Sequence, residues 1–505
     1  MLHLCNSEQL NNSMKLPINF TLCLIILIAA LYSCNSLPRG EIAETGNLPH
    51  IDPDYTGITI PFNIAPLNFK INEPGTTFFV RFSADSKAFF EISSGNGIVK
   101  IPEGKWKKML SENKGKELSI EVHSRNKKEG WSKYKIITNK IADEPIDPYI
   151  TYRLLYPGYE SWKEILIKQR SLESFRERAI IENSLVEENC INCHSYNNNG
   201  KSENFLFHMR GSMGGTYFYS GGEFRRVNLK TKEMKNGAVY PRWHPSGKFV
   251  AFSSNKIVQQ FHSALNKKVE VSDLESSLVL YDVDRNEMMN INLPDKEKYM
   301  DTYPEWSPDG RFLYFCRAPL AGELFDYDSV RYNLYRVPFD PSTRKTGNAE
   351  LVFDASSIKK SISFPRISPD GRFLVLTLHN YGCFPVWHEE ADLHIIDLHT
   401  LKISKMDLNS DFTDSYHSWS SNSRWLVFSS KRIDGLTSRF FISYMDNNGI
   451  STKPFILPQK DPEFYQRFIK SFNLPEFSTF EIKVNPGSIR KSAEGEAVQA
   501  KWVEN

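Results

Sequence analysis

Tyr240-Pro241-Arg242-Trp243-His244-Pro245-Ser246-Gly247-Lys248-Phe249-Val250-Ala251-Phe252 decides the fold, because the chain writes it again. Tyr303 opens YPEWSPDGRFLYF, Phe364 opens FPRISPDGRFLVL, and Tyr416 opens YHSWSSNSRWLVF. Each copy is an aromatic strand, a tight turn and a second alternating strand. In Ser-Pro-Asp-Gly, proline presets φ, aspartate bonds back to the backbone and glycine accepts a positive φ. A later strand of one type follows each copy: LVLYDVD, NLYRVPFD, LHIIDLH and FFISYMD. A repeat of this kind cannot bury its apolar face alone and must stack on its neighbours.

These units resemble the TolB-like, WD-type repeats of β-propellers. The resemblance covers roughly residues 200–460. A further unit reads at 203–234 (NFLFHMRG, TYFYSG, EFRRVNLKT), and Tyr149–Leu155 with Glu164–Arg170 reads as strands that close the ring against the last blade. The expectation is six blades, and the repeated Trp and Phe residues are assigned to the core between blades.

Composition agrees. In 505 residues, hydrophobic residues are 40% and charged residues 24%, a core-building mix. Lys+Arg 62 against Asp+Glu 60 leaves +2, with no bulk positive field to hold nucleic acid. Mean hydropathy of −0.43 excludes a multi-span membrane protein.

The apolar stretch Phe20 to Tyr32 (FTLCLIILIAALY), preceded by Lys15, has the layout of a secretory signal. It resembles a bacterial lipoprotein signal with Leu31-Tyr32-Ser33-Cys34 as lipobox, Cys34 as the lipidated residue and Met14 as a possible start. The expected location is the periplasm or outer membrane, held by a lipid anchor. The expected division is signal 1–34, tether 35–54, an antiparallel fibronectin- or immunoglobulin-like sandwich 55–145 with a helical turn at Gly104 to Leu110, a strand pair and haem-motif segment 146–202, propeller 203–460 and tail 461–505. The class is all-β, with a short helical haem-motif segment between sandwich and propeller.

The chemistry-bearing stretch is Glu188-Asn189-Cys190-Ile191-Asn192-Cys193-His194-Ser195, a Cys-x-x-Cys-His. Two thiols at this spacing can bond the two vinyl groups of haem, and the adjacent imidazole can reach the iron. A zinc site lacks a second cysteine pair. A thioredoxin-type pair lacks its βαβ context, and a disulfide across two residues would be strained. Of the other cysteines, Cys316 reads as a small buried hydrophobe in a strand and Cys383 is unassigned. Ser171 to Val186 (SLESFRERAIIENSLV) reads as a helix leading into the motif. The second iron ligand is expected at His208, with Met213 and the distant His388 as alternatives. A strand at Phe205–Met209 would send His208 and Met209 to opposite faces.

The whole arrangement resembles exported TolB-like propeller lipoproteins of diderm bacteria with a single Cys-x-x-Cys-His. That resemblance implies covalent haem c, iron ligation by His194 and His208, electron transfer or haem-based sensing, and a redox or scaffold partner in the cell envelope. The alternative is a propeller that docks a protein or polysaccharide without redox activity. A haem enzyme would need an open iron position. No Gly-x-Ser-x-Gly elbow or phosphate-binding loop occurs, and no peptidase domain fits after residue 460. His379, His388, Glu389, Glu390 and His394 crowd one loop between strands, but not at the His-Glu-x-x-His spacing of a zinc site.

Overall fold

The computed structural model describes residues 38, 40–159, 164–183, 189–264, 267–321, 324–483 and 485–504. The signal and Cys34 lie outside them. Among the described residues no helix is long and apolar enough to cross a membrane.

Six antiparallel sheets form the propeller among the described residues. Their innermost strands are Ser471–Ser478, Cys190–Tyr196, Ala238–Trp243, Tyr299–Trp306, Ser361–Ile367 and Asp414–Trp419, in order round the ring. Each packs on the next, and the last packs on the first to close the ring. Blade one takes its three outer strands from Tyr149–Leu155, Leu166–Ser171 and Glu177–Glu182, but its inner strand from the far end of the chain. This closure leaves no open edge at the join. The expected six blades and the strand pair near residue 150 are therefore present.

Four expectations change. Residues 171–182, read as helix, carry the end of one strand and a second strand; pairing with Leu166–Ser171 overrides their helical propensity. Residues 184–186 of that stretch lie outside the described residues. The Cys-x-x-Cys-His segment is not a helical link but the inner strand of blade two. The tail supplies the closing strand at 471–478. Further on, Val498–Gln499 and Lys501–Trp502 join the outer edges of blades two and three in parallel.

The fourth change is in the N-terminal module. It begins earlier than residue 55, since Ile42–Glu44 and Ile51–Asp52 already belong to its sheets. It is also mixed: Ile42–Glu44 pairs parallel with Gly130–Lys133, and Ile137–Ala142 parallel with Thr59–Pro61. The expected helical turn is the helix Glu103–Glu112, which buries Trp106, Met109 and Leu110. One apolar cluster runs from this module into blades one, five and six. Buried Asp147 fastens the seam by accepting from Ser421 N at 2.7 Å and Ser421 Oγ at 2.6 Å.

Candidate functional site: the propeller channel

The six inner strands share one irregularity. Each ladder slips register midway, and a residue there takes a positive φ: Cys193 (20°), Tyr240 (52°), Tyr303 (51°), Phe364 (52°), Tyr416 (39°) and Leu474 (52°). In four strands the next residue is proline, which has no N–H for the ladder. The bulges turn these six side chains to the axis. Tyr240 and Tyr303 have ring centroids 4.5 Å apart, Tyr303 and Phe364 4.2 Å, and Phe364 and Tyr416 4.5 Å. They plug the channel, with Cys193 and Leu474 as the small members.

Two residues further along lies a ring of charge. Arg242 bonds Glu305 at 2.6 Å and Glu476 at 2.9 Å, and Arg366 stands 3.5 Å from Glu305. Burial first, then the charge of Arg242, lowers the Arg366 pKa to about 10. Burial raises that of Glu476, against the pull of Arg242. One step on, the indoles of Trp243, Trp306 and Trp419 each donate to a carbonyl of the preceding blade, those of Ser195, Arg242 and Arg366.

The motif now reads differently. Cys193-His194-Ser195-Tyr196 occupies in blade two the place of Tyr416-His417-Ser418-Trp419 in blade six. His417 sends Nε2 to the Val375 carbonyl, 2.9 Å away in the second strand of the preceding blade. His194 faces Thr151, which holds the corresponding strand of blade one, although neither of its ring nitrogens reaches a partner at hydrogen-bonding geometry. Burial holds both imidazoles neutral with pKa about 3, Arg153 adding to the effect at His194. The same repeat supplies the tail signal missed in the sequence: Leu474-Pro475-Glu476-Phe477 matches Tyr303-Pro304-Glu305-Trp306.

Cavities of about 100 Å³ and 40 Å³ lie on the two sides of the plug, and Cys193 borders both. The larger, at the channel mouth, also meets Asn192, His208, Arg210 and Tyr240. The smaller, inside, meets His194, Arg242, Arg366, His417 and Glu476. His194 and His208 thus face different cavities. Cys190 pairs with Arg210 at the mouth end of the strand, and its Sγ accepts from Asn192 Nδ2 at 3.0 Å. Both thiols are free and partly buried. His208 Nδ1 lies 3.2 Å from Thr216 Oγ1, and burial, aided by Arg210, lowers its pKa to about 4. Met209 points the other way into the core, as the strand alternation requires. Met213 is tied by its backbone to Asn189 and Tyr217 and borders neither cavity.

This arrangement does not fit a c-type haem. The thiols suit it, and two unpartnered nitrogens on His194 invite a ligand. But the imidazole is turned into the seam between blades, where the repeat places His417. The adjoining spaces also fall far below the roughly 300–1,000 Å³ of small-molecule sites.

The histidine-rich loop gathers no metal site: among the described residues no three metal-capable side chains converge. His379 bonds Ser363 Oγ at 2.8 Å, and His394 lies in the following strand. A larger groove of about 840 Å³ runs along the seam between N-terminal module and blade six. In it Lys453 is paired with Asp54 at 2.7 Å and Arg432 with Asp414 at 2.9 Å.

No family model and no curated protein matches the chain. Solved structures similar to it include TolB from Acinetobacter baumannii, 12% identical over 74% of this chain and 85% of that one, with a TM-score of 0.41. A hypothetical selenium-binding protein from Sulfolobus tokodaii is 9% identical over 68% and 96%, at 0.39. An oligogalacturonate lyase from Vibrio parahaemolyticus is 11% identical over 59% and 92%, at 0.32. At these values they add nothing about activity, and the β-propeller stands on the chain's own strand pairing.

Proposed function

We propose that the protein is a binding scaffold of the cell envelope whose working face is the channel mouth. One observation carries this reading. The second and third strands of blade three, Phe249–Phe261 and Val269–Asp282, run 13 and 14 residues, where no other blade strand exceeds eight. The surplus stands over the mouth, lines its cavity with Ile257, Gln259 and Val271, and exposes Phe261 at 65%. Ring closure needs none of this length, and propeller loops on such faces are where ligands bind. The lipid anchor at Cys34 would hold the scaffold at a membrane, and the plugged channel would fix the mouth as a rigid platform.

A photo-crosslinking residue at position 261, in protein exported in its native envelope, tests this. A discrete adduct that is lost when Ile257 is replaced by Asp supports the reading. Failure to form any adduct at 261, Gln259 or Leu320 overturns it.

A second reading, a covalent haem c protein that moves electrons, rests on the free thiols at Cys-x-x-Cys-His spacing alone, against the space of only about 40 Å³ beside His194. Haem that stays with exported protein through acid-acetone extraction would establish it.

A further inference from the structure

The surplus strands of blade three leave Phe261 exposed at one end but are held along Val269–Asp273. They cross the mouth and are clasped by blades four and five. Tyr332 of blade four donates to Asp273 at 3.0 Å. Val269 and Val271 pack with Cys383, Phe384 and Trp387 of the blade-five loop. At the end of the crossing Lys267 Nζ meets Glu270 at 2.5 Å and the Tyr381 hydroxyl at 2.6 Å, and that hydroxyl donates to Glu270 at 3.2 Å. The other oxygen of Glu270 faces His388 Nε2 at 3.7 Å, while His388 Nδ1 lies 3.2 Å from Glu390. Glu270 and His388 are both almost fully buried.

We propose that these strands are a lid over the channel mouth, latched by His388 between Glu270 and Glu390, and that the lid lifts when His388 loses its proton. The inference deepens the scaffold reading, because it makes access to the mouth a regulated property.

The argument is one of charge count. A protonated imidazole gives Glu270 and Glu390 a shared cation in a buried place. Without it, Glu270 keeps only Lys267, on its own strand side, and the bond from lid to blade five is reduced to the Tyr381 hydroxyl. An incompletely compensated buried carboxylate is costly, and water entering under the lid relieves it. The surroundings agree on the sign. Burial opposes a charge on His388, but Glu270 and then Glu390 outweigh it and raise the pKa above the usual histidine value. Burial works against ionisation of Glu390 too, yet the bond to His388 brings its pKa to about 2. Glu270 is likewise lowered. His379, with its ring 5.0 Å from that of His388, is driven far down by burial and by His388 itself, so it stays neutral. Tyr381, 4.6 Å away ring to ring, is raised by burial and stays protonated. On the blade-six side Lys431 stands over the neighbouring Trp387, and burial pushes its pKa well below the usual lysine value. His388 is thus the imidazole in this set that its neighbours hold charged above the ordinary histidine value. A raised histidine pKa gives closure that is complete below the ordinary value near 6.5 and is lost as pH rises through the folded value.

Hydrogen exchange of the full-length protein tests this through the amides of Val269 to Asp273, read at pH 6 and pH 8.5 and corrected for the intrinsic rate. The expected result is about tenfold less protection at pH 8.5, with blade six unchanged. Glu270→Gln, which keeps the shape and removes the carboxylate whose hydration drives opening, should abolish the difference between the two pH values. His388→Gln should do the same. Protection that is equal at both pH values in the wild type, or that stays pH-dependent in Glu270→Gln, overturns the latch. Neither result bears on the cross-link at residue 261, so the lid and the scaffold reading fail separately.

Discussion

His244 Nε2 lies 3.0 Å from the carbonyl oxygen of Gly310, joining the turn of blade three to that of blade four. The carbonyl can only accept, so Nε2 carries the proton, and Nδ1 is left to receive the Ser246 amide at 3.2 Å. The turn that announces each repeat in the sequence is therefore also a fastening between repeats.

Gly310 has φ +72°, and a Cβ there would stand 2.3 Å from His244 Nε2. Gly371 fills the same turn one blade on with φ +75° and nothing closer than 3.9 Å. Gly371→Ala should cost about 1–2 kcal/mol, the backbone penalty alone. Gly310→Ala adds a steric clash and should cost about 3 kcal/mol. Urea unfolding of the two variants side by side checks the order; equal losses would show that His244 moves freely.

Burial lowers the pKa of His244, against the pull of the Gly310 carbonyl. Below pH 6.5 the unfolded chain takes up this proton more readily than the folded one. The stability that His244 contributes is thus present above that value and lost as pH falls. His244→Phe keeps an aromatic ring near Trp306 and removes the titration. The slope of unfolding free energy against pH between 6.5 and 5 should fall by up to about 1.4 kcal/mol per pH unit.

Arg242 serves two buried carboxylates. Arg242→Met should destabilise by about 3–5 kcal/mol, since Glu305 and Glu476 lose their shared cation. Adding Glu476→Gln to that variant should recover part of the loss. A double-mutant cycle on thermal unfolding reads the coupling, and strict additivity would remove the ring from the account of stability.

A chain ended after residue 460 lacks the inner strand of blade one. It exposes the inner edge of Tyr149–Leu155 and the flank of Asp414–Trp419. Size-exclusion chromatography should show aggregates in place of the monomer. A monodisperse product with the full-length circular dichroism spectrum would refute closure by the tail.

The propeller was legible because its turns are local chemistry: Ser307-Pro308-Asp309-Gly310 needs no partner to be read. The repeated Trp243, Trp306 and Trp419 read as core between blades and are buried there, whereas nothing in the repeat marks Tyr240, Tyr303, Phe364 and Tyr416 as a plug. What failed depended on distant strands. Residues 177–182 look helical until Leu166–Ser171 pairs with them. Leu474-Pro475-Glu476-Phe477 was passed over because it lacks the leading aromatic and the turn that follows. The gravest ambiguity was Cys193-His194. Its spacing to Cys190 spells a haem motif, while its place in the ring spells the repeat of Tyr416-His417. The two readings separate only once the strand is seen in position. The latch was out of reach, because nothing in the sequence joins Glu270 to His388.

The provenance of blade one has a consequence for how the molecule is made. A chain that emerges from its N-terminal end holds three quarters of that blade for the whole of its synthesis before the last quarter arrives. Until then Arg242 has no Glu476 to bond, and the Tyr196 amide has no carboxylate to receive it. The channel floor is assembled by the last inner strand to appear. A copy that stops before Ser471–Ser478 displays raw sheet edges to any protease, and one that carries this strand hides them, so the topology tests whether the strand has been made.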